Sequence, residues 1–189
     1  MFASWLRAGL ASGRITMKIA RDQIKAVEQM PTALQSDWAD LETRGMAKQL
    51  RRYFGRSLFI RHIDVGSCNA CESEVLALTN PYYNMHQLGV FFTPSPRHAD
   101  VLLVTGALTP AMRPVLLETY QAMPKPRIVI AAGVCPIHGG VFARSSQFVG
   151  PVHEVVPVDV YIKGCPPTPL ALLRGLLQSV QRGGEWQDE

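Results

Sequence analysis

From Ser57 onward, apolar residues gather in short runs broken by glycine, proline and polar turns. Leu58–Val65, Val101–Thr105 and Ile128–Ala132 are rich in Val, Ile and Leu, and each reads as a strand. Val158–Ile162 reads as a fourth. Between and after them the apolar spacing lengthens to a helical period, over Cys71–Thr79, Ala111–Met123 and Pro169–Gln181. Apolar strands alternating with helices predict an α/β domain. Its sheet is mostly parallel, with helices on both faces.

The first 56 residues follow another pattern. Trp5, Leu6, Leu10, Ile15, Ile19, Ile24 and Val27 are loosely helical in spacing, interrupted by Gly9 and Gly13 and set among basic residues. Pro31 breaks this stretch. A helix is expected from Asp37 to Phe54, with Ser36 as N-cap, Asp37 and Asp40 in its first turn, Lys48, Arg51 and Arg52 near its end, and Gly55 as its stop. The chain therefore divides into a basic helical arm (1–56), an α/β domain (57–182) and a short tail (183–189).

Charge adds little to this division. The net charge of +4 and pI of about 9.0 are mildly basic and do not suit a dedicated nucleic-acid binder. The basic residues concentrate in the arm, which suits anionic lipid headgroups or an acidic partner as well as plain solubility. No apolar run is long enough to span a bilayer, and Arg7, Arg14 and Lys18 interrupt any signal-peptide core. A cytosolic protein is the expectation. In a reducing compartment, four cysteines serve as ligands or redox groups more often than as disulfides.

The cysteines carry the candidate chemistry. Each group follows an expected strand, with a glycine just before the first thiol: Asp64-Val65-Gly66-Ser67-Cys68, Ala132-Gly133-Val134-Cys135 and Ile162-Lys163-Gly164-Cys165. In a parallel sheet all three loops leave the same edge, where open α/β folds bind ligands. Cys68 and Cys71 form a C-x2-C pair, and four thiolates are the usual complement of an iron–sulfur cubane. Pro166 and Pro167 stiffen the last loop and could admit a cis bond. Three other uses of the thiols stay open at this level: a structural zinc site, a thioredoxin-like pair at Cys68 and Cys71, and cysteines that only fill core.

These residues also resemble a known family. Gly66-Ser67-Cys68-Asn69-Ala70-Cys71-Glu72-Ser73-Glu74 resembles the proximal-cluster motif in small subunits of membrane-bound, energy-converting [NiFe] hydrogenases, of the formate hydrogenlyase type. Ser95-Pro96-Arg97-His98-Ala99-Asp100, Thr105-Gly106-Ala107-Leu108-Thr109-Pro110-Ala111-Met112 and the stretch from Pro157 through Gly164-Cys165-Pro166-Pro167-Thr168-Pro169 are similar to further motifs of that family. The family is homologous to the cluster-bearing, quinone-proximal subunit of complex I. That subunit typically has adjacent cysteines at the first ligand position, so the C-x2-C pair favours the hydrogenase branch.

The resemblance implies a flavodoxin-like fold and one [4Fe–4S] cluster held by Cys68, Cys71, Cys135 and Cys165. It implies a large subunit with the Ni–Fe centre, a ferredoxin-like subunit with two [4Fe–4S] clusters, and integral membrane subunits that move protons or sodium. The chain would be a non-catalytic redox subunit, held peripherally on the cytoplasmic face of the inner membrane. Within this family Glu72, next to the second cysteine, becomes a candidate for a proton path, against the plainer role of a paired helix N-terminal charge. Pro136 and His138 make the Cys135 loop atypical, and His138 is either a tuning group or a loop hydrogen-bonder. Glu74, Arg97, His98 and Met112 read as interfacial, solvated or core residues.

Overall fold

Two five-residue strands, Val101–Thr105 and Ile128–Ala132, are buried along their whole length, and they form the centre of the sheet. The computed structural model describes residues 57–182. The arm and its expected helix at 37–54, like the tail, lie outside the described residues. The remaining elements are arranged around the two central strands. In chain order they are β1 (Leu58–Asp64), α1 (Ala70–Ala77), β2 (Val90–Phe92), β3 (Val101–Thr105), α2 (Met112–Ala122), β4 (Ile128–Ala132), α3 (Val134–His138), β5 (Val160–Ile162) and α4 (Pro169–Arg182).

All five strands are parallel, in the order β2-β1-β3-β4-β5. That is the flavodoxin-like strand order, which reverses between β1 and β3. The structure thus bears out the expected α/β class. One face of the sheet places Ile63, Leu102, Val104 and Val129 against Leu116 of α2 and Met123 just beyond it. On the other face α4 packs on β4 and β5 and also meets α1. Gly175 makes this approach possible, because a methyl group there would collide with Ile162. Covering both faces explains why β3 and β4 are unbroken apolar runs rather than alternating ones.

Two aspartates tie strand beginnings together in the same way. Asp100 stands just before β3: its backbone N–H donates to the Phe59 carbonyl (2.8 Å), and its carboxylate accepts from the Phe59 N–H (2.9 Å). Asp159, just before β5, pairs with Val129 likewise, at 2.9 and 2.7 Å. Each carboxylate satisfies a strand amide at the sheet's N-terminal edge.

The element boundaries differ from expectation in understandable places. β2 was not anticipated: it has three residues between Gly89 and Pro94, too short for any periodicity. β5 begins at Val160 rather than Val158, because Asp159 engages β4 through its side chain as well as its backbone. The turn of helix α3 was missed because Pro136 sits within it. Proline is tolerated there, since in the first turn of a helix its missing N–H has no intrahelical acceptor.

Candidate metal centre

The three cysteine loops leave the C-terminal ends of β1, β4 and β5, and backbone hydrogen bonds draw them together beyond the strands. The Gly133 N–H donates to the Ile162 carbonyl (2.8 Å), and Val134 N–H donates to the Gly164 carbonyl (2.9 Å), joining the β4 and β5 loops. The Ala107 N–H donates to Gly66 (2.7 Å), so the β3 loop supports the β1 loop from the other side. Cys68 precedes Asn69, a left-handed residue that turns the chain into α1 and places Cys71 in its first turn. Cys135 lies in α3. Cys165 follows Gly164 at the end of the β5 loop, and the Cys165–Pro166 peptide is cis.

Gly133 shows how closely the loops converge. Its φ of +97° suits glycine, and a Cβ there would stand 2.8 Å from Cys71 Sγ. A residue of the β4 loop thus abuts a thiol of the β1 loop. On the other side of the site, a Cβ at Gly140 would stand 3.1 Å from Cys135 Sγ. Side chains at either glycine would crowd the space around the thiols.

All four cysteines are free thiols; Cys71 and Cys135 are buried, while Cys68 and Cys165 are exposed. Burial pushes the Cys71 thiol up to about 12, and the Glu72 carboxylate, Cys135, Cys68 and Cys165 add to the rise. Burial also raises Cys135, with further pressure from Cys165, Cys68 and Glu72. Cys71 therefore feels all three other cysteines, and Cys135 feels Cys68 and Cys165, across more than sixty residues of sequence. The groups acting on them are anionic or thiol groups, so proton loss is unfavourable until a cation takes the protons' place. A thioredoxin-like nucleophile needs the opposite, a lowered thiol. The raised Cys71 weighs against that use.

Among the described residues, no three His, Cys, Asp or Glu side chains close around a single-ion position. Tetrahedral zinc, about 2.3 Å from each sulfur, needs thiolates within about 4 Å of one another. Four thiols on three converging loops, with Gly133 against Cys71 and Gly140 against Cys135, are the donor set that an iron–sulfur cubane uses.

Behind the thiols lies a polar group that sequence reasoning did not anticipate. The Thr105 hydroxyl, at the end of β3, donates to Glu72 Oε1, and the Ser67 hydroxyl donates to Glu72 Oε2 (2.8 Å). Asp64 Oδ2 lies 3.1 Å from the same Ser67 oxygen. His62 Nε2 is 2.9 Å from Thr105 Oγ1 and 4.0 Å from Glu72 Oε1. Burial alone would raise the Glu72 carboxyl, but the bonds from Thr105 and Ser67, with smaller help from its own backbone amide and His62, hold it below its ordinary value. Glu72 is therefore a hydrogen-bonded, ionised carboxylate. The only signal for this group in the sequence was parity: His62 and Thr105 fall on one face of adjacent strands.

The other residues singled out in the sequence lie elsewhere. His138 is exposed at the end of α3, where its Nδ1 accepts from the Gly140 N–H (3.3 Å). Arg97 and His98 are exposed on the opposite edge of the sheet, in a cleft with Phe59, Thr93 and Pro124. Met112 packs on the core, and burial, with smaller help from Tyr82 and Glu74, raises the Tyr83 phenol.

The family model for the NADH ubiquinone oxidoreductase 20 kDa subunit matches residues 68–179, from the first cysteine to the last helix and well over half of the chain. The chain belongs to this family. Its relatives include the probable membrane-bound hydrogenase subunit mbhJ of Pyrococcus furiosus, 42% identical over 71% of this chain and 80% of that one. Formate hydrogenlyase subunit 7 of Escherichia coli is also 42% identical, over 75% of this chain and 55% of that longer protein. Among solved structures, a chain of the archaeal membrane-bound sulfane sulfur reductase superposes with a TM-score of 0.59 at 31% identity, covering 76% of this chain and 78% of that one. This is a family of oxidoreductase-complex subunits, and it implies an iron–sulfur cofactor. Among the described residues, no helix is long and apolar enough to cross a membrane.

Proposed function

We propose that this chain carries one [4Fe–4S] cluster on Cys68, Cys71, Cys135 and Cys165, as the electron-transfer subunit of a membrane-bound [NiFe] hydrogenase complex. The convergence of four free thiols at one sheet edge, with Cys68 and Cys165 acting on both buried ones, carries the reading. The two hydrogenase relatives supply its direction. When bound, the cluster would take and release single electrons between a large subunit with the Ni–Fe centre and a ferredoxin-like subunit. The protein's part is to hold four thiolates in place, to leave room through Gly133 and Gly140, and to set a fixed negative charge beside them at Glu72. In this reading Glu72 is the anionic end of a short proton path, supported by its bonds to Thr105 and Ser67. The chain is non-catalytic by itself and sits peripherally at the cytoplasmic face, on integral membrane subunits that move protons or sodium.

Iron and acid-labile sulfide in the anaerobically purified complex test the site. About four of each per chain are expected from a single cubane, with a one-electron paramagnetic signal lost in Cys135→Ser. One zinc and no sulfide would overturn the assignment. The sulfane sulfur reductase relative favours a second reading, a related complex whose large subunit has no Ni–Fe centre. Nickel bound by the co-purified large subunit, through two C-x2-C pairs, separates the two.

A further inference from the structure

Toward the edge of the sheet opposite the thiols lies a cleft of about 550 Å³, within the size range of small-molecule sites. Phe59 at the start of β1, Thr93 just past β2, Arg97 and His98 in the turn before β3, and Pro124 just past α2 line it. Strand pairing sets its floor. Phe59 stands opposite Phe91 of β2, and the Thr93 N–H continues that ladder by donating to the Ile60 carbonyl (2.8 Å). The turn that carries Arg97 and His98 is held by its own backbone. The His98 N–H donates to the Ser95 carbonyl (3.3 Å) and the Ala99 N–H to the Pro96 carbonyl (3.2 Å), before Asp100 clamps onto Phe59.

The described side chains lining this cleft offer donors and no carboxylate. Arg97 is exposed and brings a planar guanidinium that only donates. His98, also exposed, has a ring N–H even when neutral. Thr93 Oγ1 accepts from the Ser95 N–H (3.4 Å), which leaves its own hydrogen to donate. The surroundings agree in sign. The carboxylate of Asp100, next but one after His98, is buried and already accepts from the Phe59 N–H. Arg127 donates to the Tyr120 and Met123 carbonyls (2.8 and 3.1 Å), covering the negative end of α2 beside Pro124.

A second observation comes from β1. Arg61 lies two residues beyond Phe59, so strand alternation puts both on one face. Its Nε is buried and has no hydrogen-bond partner. Buried N–H groups almost always meet an acceptor. This face of the sheet therefore carries a cation whose acceptor the described residues do not supply.

We propose that the cleft is a binding site for a small phosphate ester. Arg97 and His98 hold the phosphate, Thr93 adds a hydroxyl donor, Arg61 adds positive charge from the same face, and Phe59 and Pro124 receive the apolar body of the ester. Three donor side chains match the three terminal oxygens of a phosphate monoester better than the two of a carboxylate. The same group occurs on soluble esters and on phospholipid head groups, and the experiment separates these sources. The site needs nothing from the thiols and stands whether or not they hold a cluster.

The test is binding of phenyl phosphate to the purified complex, followed by broadening of its phosphorus NMR resonance at an ionic strength fixed with potassium chloride. Saturable binding, tighter than that of inorganic phosphate, is expected. Arg97→Gln should weaken it about tenfold, the loss of one charge-assisted fork, and Arg97→Lys should recover part of the loss. Arg61→Met and Thr93→Val should each weaken it by a smaller factor, with the iron content of the complex unchanged. Arg144→Gln, which removes an exposed arginine outside the cleft, should bind as the wild type does. Phosphatidylcholine vesicles carrying phosphatidate form the second arm. Displacement of phenyl phosphate by them, lost in Arg97→Gln, assigns the site to a lipid head group, and no displacement assigns it to a soluble ester. Three results would overturn the proposal: no saturable binding by the wild type, equal affinity for phenyl and inorganic phosphate, or equal affinity in Arg97→Gln and Arg144→Gln. The last would mean that net charge alone draws the anion.

Discussion

The two edges of the sheet use carboxylates differently. At the N-terminal edge, Asp100 and Asp159 each receive a backbone amide from the neighbouring strand and return a backbone N–H to the same residue. At the C-terminal edge, Glu72 receives hydroxyls from Ser67 and Thr105, with His62 behind. An amide has no alternative state, so a carboxylate bonded to it is a fixed clamp. Hydroxyls rotate and an imidazole titrates, so a carboxylate bonded to them belongs to a group that can change charge. Both edges bury acidic side chains. At the C-terminal edge alone the acid acts on buried thiols, Cys71 and Cys135.

The strongest test of this contrast removes the thiols. Cys71→Ser or Cys135→Ser should abolish cluster loading, seen as iron and sulfide falling to background, because a buried ligand has no spare neighbour to replace it. Gly133→Ala comes next. Its methyl would press on Cys71 Sγ from a backbone at φ +97°, a strain of about 1–3 kcal/mol, and iron content should fall well below the wild type at equal expression. Asp100→Ala should do the reverse. It leaves the Phe59 amide without its carboxylate acceptor, costing about 1–3 kcal/mol in denaturant unfolding, while the protein that does fold loads iron normally. Loss of iron in Asp100→Ala without loss of stability would erase the distinction between the edges.

How much of this was legible follows the same division. β3 and β4 were readable to the residue because burial on both faces forces continuous apolar runs. The positions of the thiols were readable because each follows a strand and a glycine, and parallel strands send such loops to one edge. β2 and α3 were not, since three residues carry no period and Pro136 disguises a helical turn. The Glu72 group was hidden for a different reason. His62 and Thr105 lie 43 residues apart, and they meet because β1 and β3 are neighbours in a register that pairs Asp64 with Thr105. That register sets His62 and Thr105 diagonally on one face. No local pattern encodes it. His138, the histidine that the sequence made conspicuous by its place three residues after Cys135, turned out to bond a loop amide at the surface.

The smallest expected effect falls on the thiols themselves in the cluster-free chain. Glu72 is the largest influence on Cys71 after burial. Glu72→Gln keeps the shape and an acceptor oxygen for Thr105 or Ser67, but removes the charge. Cys71 should then titrate below its present value of about 12, while remaining above an ordinary thiol because burial and three neighbouring cysteines persist. The rate of Cys71 alkylation against pH measures this, with the exposed Cys68 and Cys165 blocked first. The sign is fixed: a thiol raised in the fold holds its proton more tightly than in the unfolded chain. The stability it contributes is full below the unfolded value near 9 and is lost as pH rises through about 12. Glu72→Gln should therefore make that alkaline loss smaller and end it at lower pH, whereas Asp100→Asn, at the opposite edge, should leave the Cys71 profile where it was. An unchanged profile in Glu72→Gln would mean that the carboxylate is too well screened to act on the thiols, and the two edges would then differ in their cysteines alone.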